Sequence, residues 1–244
     1  MRRVQIHTVV APVFATRCSV LVAPDGACVV VDAGAGAAGP VLLLVEEHAW
    51  RPQAVLATHG HADHVWDAAA LCDAWGVPLV LHARDAYRLD DPFGTLGVLD
   101  PRDPTGPLTA ALAAAGADVG SWTVPARVEP FGGDEPSGRT ADVDLDLGGV
   151  RLRARHAPGH TEGSTLYLLD GVPAAAGAPV VLSGDVLFAG GVGRTDLPGG
   201  DAATMARTLA QVVAVLPPDA PVLPGHGPAT DVRTELATNP WLPG

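Results

Sequence analysis

Lysine is absent from this chain, and all 15 of its basic residues are arginine. A lysine Schiff base is therefore excluded from its chemistry. Basic residues are also outnumbered by 27 acidic ones, which gives a net charge of −12 and a pI near 5.0. Nucleic-acid backbones and anionic membrane surfaces both favour a basic protein face. We therefore expect a small-molecule substrate, with neither nucleic acid nor a membrane as the main partner.

Cysteine is scarce, and the three that occur, in apolar surroundings without C-x-x-C spacing, are Cys18, Cys28 and Cys72. This pattern predicts reduced, structural thiols. A two-residue hairpin loop at Asp25-Gly26 would place Ala23 opposite Cys28. The same register would place Cys18 opposite Ala33, so no disulfide between Cys18 and Cys28 is expected.

Long apolar runs are also missing, and none reaches the length of a signal or membrane helix. We therefore predict a cytoplasmic protein. A hydrophobic content of 48% over 244 residues is enough to bury a full core. These values predict one domain spanning residues 1–244.

The hydrophobic pattern alternates between strands and helices, which predicts an α/β fold. Strands are predicted at Val4–Val10, Cys18–Ala23, Ala27–Val31, Pro78–His82, Val143–Leu147, Val150–His156, Thr165–Leu169, Val180–Leu182 and Pro221–Leu223. Helices are predicted at Val41–Trp50, Val65–Trp75, Ala202–Leu216 and Asp231–Asn239. Residues 90–137 are rich in Pro, Gly and Asp, and we expect a long irregular insertion there with one helical piece at Leu108–Ala115.

A cluster of metal-ligand side chains follows the apolar segment Ala54–Ala57, namely His59, His61, Asp63 and His64. Imidazole nitrogen and carboxylate oxygen are the donors that zinc and similar ions prefer. Ordinary core or surface histidines are a poor explanation, because four titratable side chains on one turn would need separate partners. The four side chains of this cluster also lie too close together in the chain to converge on one tetrahedral ion alongside more distant ligands. Two ions are therefore expected.

Three further ligand-type residues each follow an apolar strand and adjoin glycine, namely His160, Asp185 and His226. With the first cluster they form a set of five histidines and two aspartates, which suits a two-metal hydrolytic centre. Asp32 ends an earlier strand. It is either a turn residue or an acceptor that orients a metal-binding histidine.

These motifs resemble those of the metallo-β-lactamase superfamily. The H-x-H-x-D-H signature of that superfamily stands here at residues 59–64. Its later motifs are matched by Pro158–Thr161, Gly184-Asp185 and Gly225–Gly227. The resemblance implies an αββα four-layer sandwich, with two mixed β-sheets face to face and helices outside. It also implies two divalent ions per chain, with Zn²⁺ expected and Fe or Mn as alternatives. By position, the first metal would be bound by His59, His61 and His160, and the second by Asp63, His64 and His226, with Asp185 bridging.

Within that superfamily, residues 184–188 and 193–200 resemble the short glyoxalase II-like hydrolases, which act on thioesters such as S-D-lactoylglutathione. No glutathione-holding C-terminal helical domain is expected after Asp231–Asn239. The implied activity is thioester hydrolysis by a metal-bound hydroxide, with Asp63 and Asp185 as candidate catalytic carboxylates. Asp63 either ligates only or also orients the nucleophile.

The motif Gly193–Asp196 leaves an alternative open, because it also resembles persulfide dioxygenases, whose single iron would be held here by His59, His160 and Asp185. A nuclease is disfavoured by the acidic charge, and a metal-binding protein without turnover by the complete ligand set. Arg194 is a candidate for binding an anionic group of a small thioester substrate. Its alternative role is a salt bridge to Asp196 or Asp201.

Overall fold

The computed structural model describes residues 4–98, 100, 103, 105–133, 142–175 and 177–242. A first six-stranded sheet is built from β1 (Gln5–Val10), β2 (Arg17–Val22), β3 (Ala27–Val31), β4 (Arg51–Leu56), β5 (Leu79–His82) and β6 (Val128–Phe131), in that order. The strands β1 to β3 are antiparallel, and β3 to β6 are parallel.

A second six-stranded sheet is built from β7 (Asp142–Leu147), β8 (Val150–His156), β9 (Thr165–Leu169), β10 (Val180–Gly184), β11 (Pro221–Pro224) and β12 (Thr230–Asp231). Its neighbours are antiparallel except for β10 and β11, which are parallel. Both sheets are therefore mixed.

The helices are α1 (Ala38–Glu47), α2 (Ala62–Val65), α3 (Ala68–Trp75), α4 (Pro107–Ala114), α5 (Ala202–Thr208) and α6 (Val232–Thr238). A π-helical segment, Leu209–Val213, continues α5. In the described part of the chain, no helix is long and apolar enough to cross a membrane.

Strand alternation sends successive side chains to opposite faces of each sheet, which produces three apolar layers. Between the sheets, Leu21 and Leu56 of the first sheet pack with Tyr167 of the second, all fully buried. Outside the first sheet, α1 and α3 contribute to a second cluster, and outside the second sheet α5 and α6 contribute to a third. The order helices, sheet, sheet, helices confirms the predicted αββα sandwich.

The hairpin between β2 and β3 differs by one residue from the predicted register. Val22, rather than Ala23, lies opposite Cys28. The loop contains three residues, with Gly26 at a φ of 84°, because Pro24 has no N–H to pair across a two-residue loop. The expectation about thiols is confirmed, since all three cysteines are buried and free.

Helix α1 begins three residues before the predicted start at Val41. Its first turn has no side-chain cap of its own. Asp67, at the start of α3, supplies the missing acceptor, because its Oδ2 accepts from the backbone N–H groups of Gly36 (2.9 Å) and Ala38 (2.8 Å). The start of the helix is therefore set by a residue about thirty positions away in the chain.

The stretch predicted as an irregular insertion, residues 90–137, contains the helix α4 and also a strand that was not expected. Val128–Phe131 pairs in parallel with β5 and completes the first sheet. The segment is anchored by Trp122, whose indole N–H donates to the Leu89 carbonyl (3.1 Å) and whose ring packs on Trp66. Residues 134–137 lie outside the described part of the chain.

Candidate metal centre

The seven predicted ligands meet at one edge of the sandwich, where four strands of two different sheets end. His59, His61, Asp63 and His64 follow β4 of the first sheet, whereas the other three follow strands of the second, His160 after β8, Asp185 after β10 and His226 after β11. All of them are buried or half-buried. The carboxyl ends of strands β4, β10 and β11 and the loop after β8 thus form a single polar cluster.

Two glycines allow these chain segments to approach so closely. Gly184 has a φ of 49°, and a Cβ placed on it would lie 2.3 Å from the hydroxyl oxygen of Thr58. A Cβ on Gly225 would lie 2.5 Å from the Oδ1 atom of Asp185. Larger residues would push the ends of β10 and β11 away from the first sheet.

Three imidazole nitrogens converge on one point. His59 Nε2 lies 3.1 Å from His61 Nδ1 and 3.2 Å from His160 Nε2, and His61 Nδ1 lies 2.9 Å from His160 Nε2. Nitrogens bound to one tetrahedral zinc ion at its usual bond length are separated by about 3.3 Å. The triangle is therefore of the size that a single zinc-like ion requires.

The partners of these rings determine where their lone pairs point. His160 Nδ1 lies 2.7 Å from the Arg194 carbonyl, which only accepts, so this nitrogen donates and Nε2 carries the lone pair. His59 Nδ1 lies 3.2 Å from the Thr58 hydroxyl, whose own proton goes to Asp32. Nε2 of His59 therefore also carries a lone pair. Two lone pairs at 3.2 Å repel each other unless a cation lies between them.

Burial and the neighbouring imidazoles favour the neutral form of two of these rings, those of His59 and His61. Burial is the main cause that lowers the pKa of His59 and of His61 well below the usual value, and the adjacent histidines lower it further. Neutral imidazole is the form that binds a metal. The donor set thus fits a divalent ion.

A second group contains Asp63, His64 and His226. His64 Nε2 lies 3.2 Å from His226 Nε2, and Asp63 Oδ2 lies 3.6 Å and 3.3 Å from these two atoms. Burial opposes the charge of Asp63, but His64 and His226 hold the pKa of this carboxyl well below its usual range. Its ionised oxygen and two imidazoles form a mixed donor set.

Asp185 faces both groups. Its carboxylate lies 3.7 Å from His160 Nε2 on one side, and 3.3 Å from His64 Nε2 and 3.6 Å from His226 Nε2 on the other. The Oδ1 atom is buried and receives no well-aligned hydrogen bond from the described residues. A buried carboxylate oxygen without a donor is costly unless a cation binds there. This position suits a bridging ligand.

Asp32 lies behind the ring of His64, where its predicted role of orienting a metal-binding histidine would place it. Its Oδ1 accepts from the Thr58 backbone N–H (2.8 Å) and its Oδ2 lies 3.1 Å from His64 Nδ1. The residue also makes the turn after β3, with a φ of 60°. A carboxylate behind a histidine ring fixes the ring's orientation and leaves Nε2 free to face the centre.

Arg194 lies at the rim of the centre, and its side chain is already paired. Its Nε and one terminal nitrogen donate to the two carboxylate oxygens of Asp196, both at 2.7 Å. Asp201 instead caps α5 by accepting from the Thr204 backbone N–H. The salt-bridge alternative is thus present for Asp196, and a role in substrate binding stays a prediction. The Arg194 carbonyl, which orients His160, had no signal in the sequence.

The sequence also gave no indication of a buried acid that joins the two ligand loops. Asp85 is wholly buried and accepts from the Gly60 N–H (2.9 Å), between two ligands, and from the Gly163 N–H (2.7 Å). It also accepts from the Thr161 hydroxyl (2.7 Å), next to His160. One carboxylate therefore fixes the loops after β4 and β8 relative to each other.

The partner of this acid is Arg88, which is also wholly buried. It donates from Nε to Asp85 (3.2 Å), and its terminal nitrogens donate to Glu162 and to the carbonyls of Thr95 and Pro198. Asp85 and Arg88 are three residues apart on one helical turn after β5. That spacing is visible in the sequence, but it is equally typical of an exposed surface pair.

A cavity of about 640 Å³ opens over the centre. The polar residues at its base are His61, Asp63, His160, Asp185 and His226. Its walls contain Phe14, Leu96, Val98, Pro107, Leu108, Phe188, Val192, Arg194 and Leu197. A small molecule in this cavity would contact the polar cluster directly.

The family model described as the Metallo-beta-lactamase superfamily matches residues 12–226. An uncharacterized protein of Mycobacterium leprae is 36% identical, over 93% of this chain and 94% of its own length. The probable metallo-hydrolase YqgX of Bacillus subtilis is 31% identical, over 90% of this chain and 89% of its own length. The hydroxyacylglutathione hydrolase GloC of Haemophilus influenzae is 27% identical, over 97% of both chains.

Solved structures share the architecture. The BLEG-1 B3 metallo-beta-lactamase has a TM-score of 0.76 and 27% identity, covering 98% of this chain and all of its own. TTHA1623 in a di-iron-bound form has a TM-score of 0.69 and 29% identity, covering 97% of this chain and 100% of its own. ETHE1 from Myxococcus xanthus, at 22% identity, a TM-score of 0.68 and coverage of 97% and 83%, shares the fold alone. The family match and the relatives above 30% identity show that this chain belongs to the metallo-beta-lactamase superfamily.

Proposed function

We propose that this protein is a metal-dependent hydrolase that cleaves small thioesters. The observation that carries the proposal is the pair of adjacent donor groups, with the Asp185 carboxylate facing both. His59, His61 and His160 would hold one ion and Asp63, His64 and His226 the other, with Asp185 between them. The similarity to a hydroxyacylglutathione hydrolase, at 27% identity over 97% of both chains, supports a thioester as substrate.

Divalent ions bound in such a centre lower the pKa of water to about 7 and polarise a carbonyl oxygen. In the overall reaction, water supplies a hydroxyl group to the acyl carbon and the C–S bond breaks. The sulfur keeps the bonding electron pair and is released as the thiol or thiolate, and the acyl group is released as a carboxylate. No serine or cysteine nucleophile is required.

The protein's own residues have separate tasks in this scheme. The ionised carboxylate of Asp63, at the base of the cavity, would accept a hydrogen bond from the attacking water and orient it. Arg194 at the rim would bind an anionic group of the substrate, which would replace Asp196 as its partner. We place this activity in the cytoplasm, in keeping with three buried, unpaired cysteines.

A persulfide dioxygenase with one iron is the second candidate. His59, His160 and Asp185 lie in one cluster, with 3.7 Å between His160 Nε2 and the Asp185 carboxylate. A solved relative at 29% identity was obtained in a di-iron-bound form, so an iron centre is compatible with this branch of the superfamily. Sulfur oxidation needs a redox-active metal and O₂, whereas hydrolysis needs neither.

The experiment compares zinc-loaded enzyme under nitrogen with iron-loaded enzyme in air. We expect the zinc form to cleave S-lactoyl thioesters without oxygen, and His226→Ala to reduce that activity strongly. Asp118→Ala, at an exposed turn, serves as the control and should retain activity. Oxygen uptake with a persulfide substrate, together with no thioester cleavage by the zinc form, would overturn the hydrolase proposal in favour of the dioxygenase.

A further inference from the structure

The walls of the cavity above the centre are almost entirely apolar. Apart from Arg194, every described wall residue is apolar: Phe14, Leu96, Val98, Pro107, Leu108, Phe188, Val192 and Leu197. These residues come from three separate segments of the chain. No described lining residue is a serine, threonine, asparagine, glutamine or tyrosine.

Two phenylalanines of this wall contact the ligand-type residue His226, Phe14 through its carbonyl and Phe188 through its ring. The Nδ1–H of His226 donates to the Phe14 carbonyl (2.9 Å), and Phe14 has a φ of 53°, which fixes the turn that presents its ring. Phe188 packs edge-to-face on the His226 ring, with 6.2 Å between the ring centres. The apolar surface therefore begins directly next to the polar base of the cavity.

Charge is scarce in the same walls. Arg194 is the one cationic side chain among the described lining residues, and both oxygens of Asp196 already accept from it. Burying an ionised group against an apolar wall without a partner is strongly unfavourable. Glutathione carries two carboxylates, one ammonium and two peptide groups, so this wall leaves most of its polar groups without partners.

On the basis of the proposed hydrolase function, we infer that the substrate is a thioester with an uncharged, apolar group beside the scissile carbonyl and at most one anionic group. The apolar group lies against Phe14, Phe188 and Leu197. A single carboxylate, where present, reaches Arg194 at the rim. This substrate class excludes glutathione as the preferred carrier.

The first test uses one acyl group and three carriers. S-lactoyl esters of benzyl thiol, 4-carboxybenzyl thiol and glutathione are compared on zinc-loaded enzyme. We expect kcat/KM for both benzyl carriers to exceed that for glutathione by about ten-fold or more, as expected for the burial of one ring. A glutathione ester hydrolysed as well as the benzyl esters, or better, would overturn the inference and leave the thioesterase function intact.

The second test changes the wall. Phe188→Ala should raise KM for the benzyl ester by about ten-fold and leave KM for the glutathione ester nearly unchanged. Phe188→Leu should restore most of the affinity, because it replaces apolar surface. The matched control is Leu43→Ala, since Leu43 is 68% exposed on α1 and is not among the residues that line the cavity. An equal effect of Phe188→Ala on both esters would contradict a selective wall.

A binding measurement separates this inference from the proposed reaction. Calorimetry of zinc-loaded protein compares two non-cleavable thioethers, benzyl 2-hydroxypropyl sulfide and S-(2-hydroxypropyl)glutathione. Tighter binding of the benzyl compound, weakened by Phe188→Ala, supports the apolar class even where no thioester is hydrolysed, in which case only the proposed function fails. Tighter binding of the glutathione compound, or binding of neither, would refute the inference.

Discussion

Asp85→Asn is the substitution most informative about how the two ligand loops are held together. The change keeps the shape of the side chain but removes its charge and replaces one acceptor oxygen by an NH₂ group. In the structure, each carboxylate oxygen of Asp85 accepts from two donors: Oδ2 from Gly60 and Thr161, and Oδ1 from Gly163 and Arg88. If Oδ1 becomes NH₂, the N–H groups of Gly163 and Arg88 face a donor; if Oδ2 does, the Gly60 N–H faces a donor, whereas the Thr161 hydroxyl can turn and accept.

The expected loss of unfolding free energy follows from the burial of Asp85 and Arg88. Asp85 and Arg88 have 0% exposure, and breaking a buried ion pair by removing one charge costs about 3–5 kcal/mol. Arg88 keeps Glu162 and two carbonyl acceptors, so we expect the lower end of that range. For a chain of this size, a loss of about 3 kcal/mol corresponds to a decrease in Tm of about 6–12 °C.

The assay is urea unfolding of metal-free protein, which isolates the network from any bound ion. Asp118→Asn provides the matched control, because Asp118 accepts one backbone N–H at an exposed turn and the same change there should cost less than about 0.5 kcal/mol. Zinc affinity, measured with a competing chelator, should also fall in Asp85→Asn. An unfolding free energy within error of the control would refute the view that this buried pair holds the loops together.

Three shorter predictions follow from other features. Protein loaded with excess zinc should contain two equivalents, and Asp185→Ala should lose both because its carboxylate faces both donor groups; a firm plateau at one equivalent in the unmodified protein would contradict the two-metal centre. Arg194→Ala should raise KM for a substrate with a carboxylate and leave the zinc content unchanged, and unchanged kinetics would restrict Arg194 to its salt bridge. Burial raises the pKa of both Cys28 and Cys72 to about 12 and also raises that of Cys18, so a thiol reagent at pH 8 should label the protein only after unfolding, and rapid labelling of folded protein would contradict the buried thiols.

The grouping of the seven ligand-type side chains could be predicted from sequence, because the pattern that identifies them is local. Each ligand lies in the loop or the first helical turn that follows an apolar strand, and four of them are within six positions, so no knowledge of distant packing is needed to group them. The alternation of strands and helices likewise predicted the α/β class, whereas the four-layer sandwich was implied by the resemblance of the motifs to the metallo-β-lactamase superfamily. Local patterns are most reliable where the hydrophobic period is long and unbroken.

The features that were missed depend on contacts between distant segments. The strand β6 exists because β5 offers it a parallel edge, and α1 starts early because Asp67 caps it from another helix. The roles of Asp85 and Arg88 depend on their complete burial, which a helical i, i+3 spacing cannot reveal. The one-residue error at Pro24 is different, because the missing N–H of proline was visible in the sequence.

The position of the centre at the junction of the two sheets has a consequence for how the protein assembles. Every ligand from the first sheet must meet partners roughly a hundred or more positions later in the chain, as the His64 and His226 pair does. Contacts this distant form late in folding, because a long loop must close first. The complete donor set therefore arises only when the two halves of the sandwich have docked. An ion that binds only the docked state would resist the separation of the two halves. Bound zinc should therefore slow unfolding and increase the kinetic stability of the native fold.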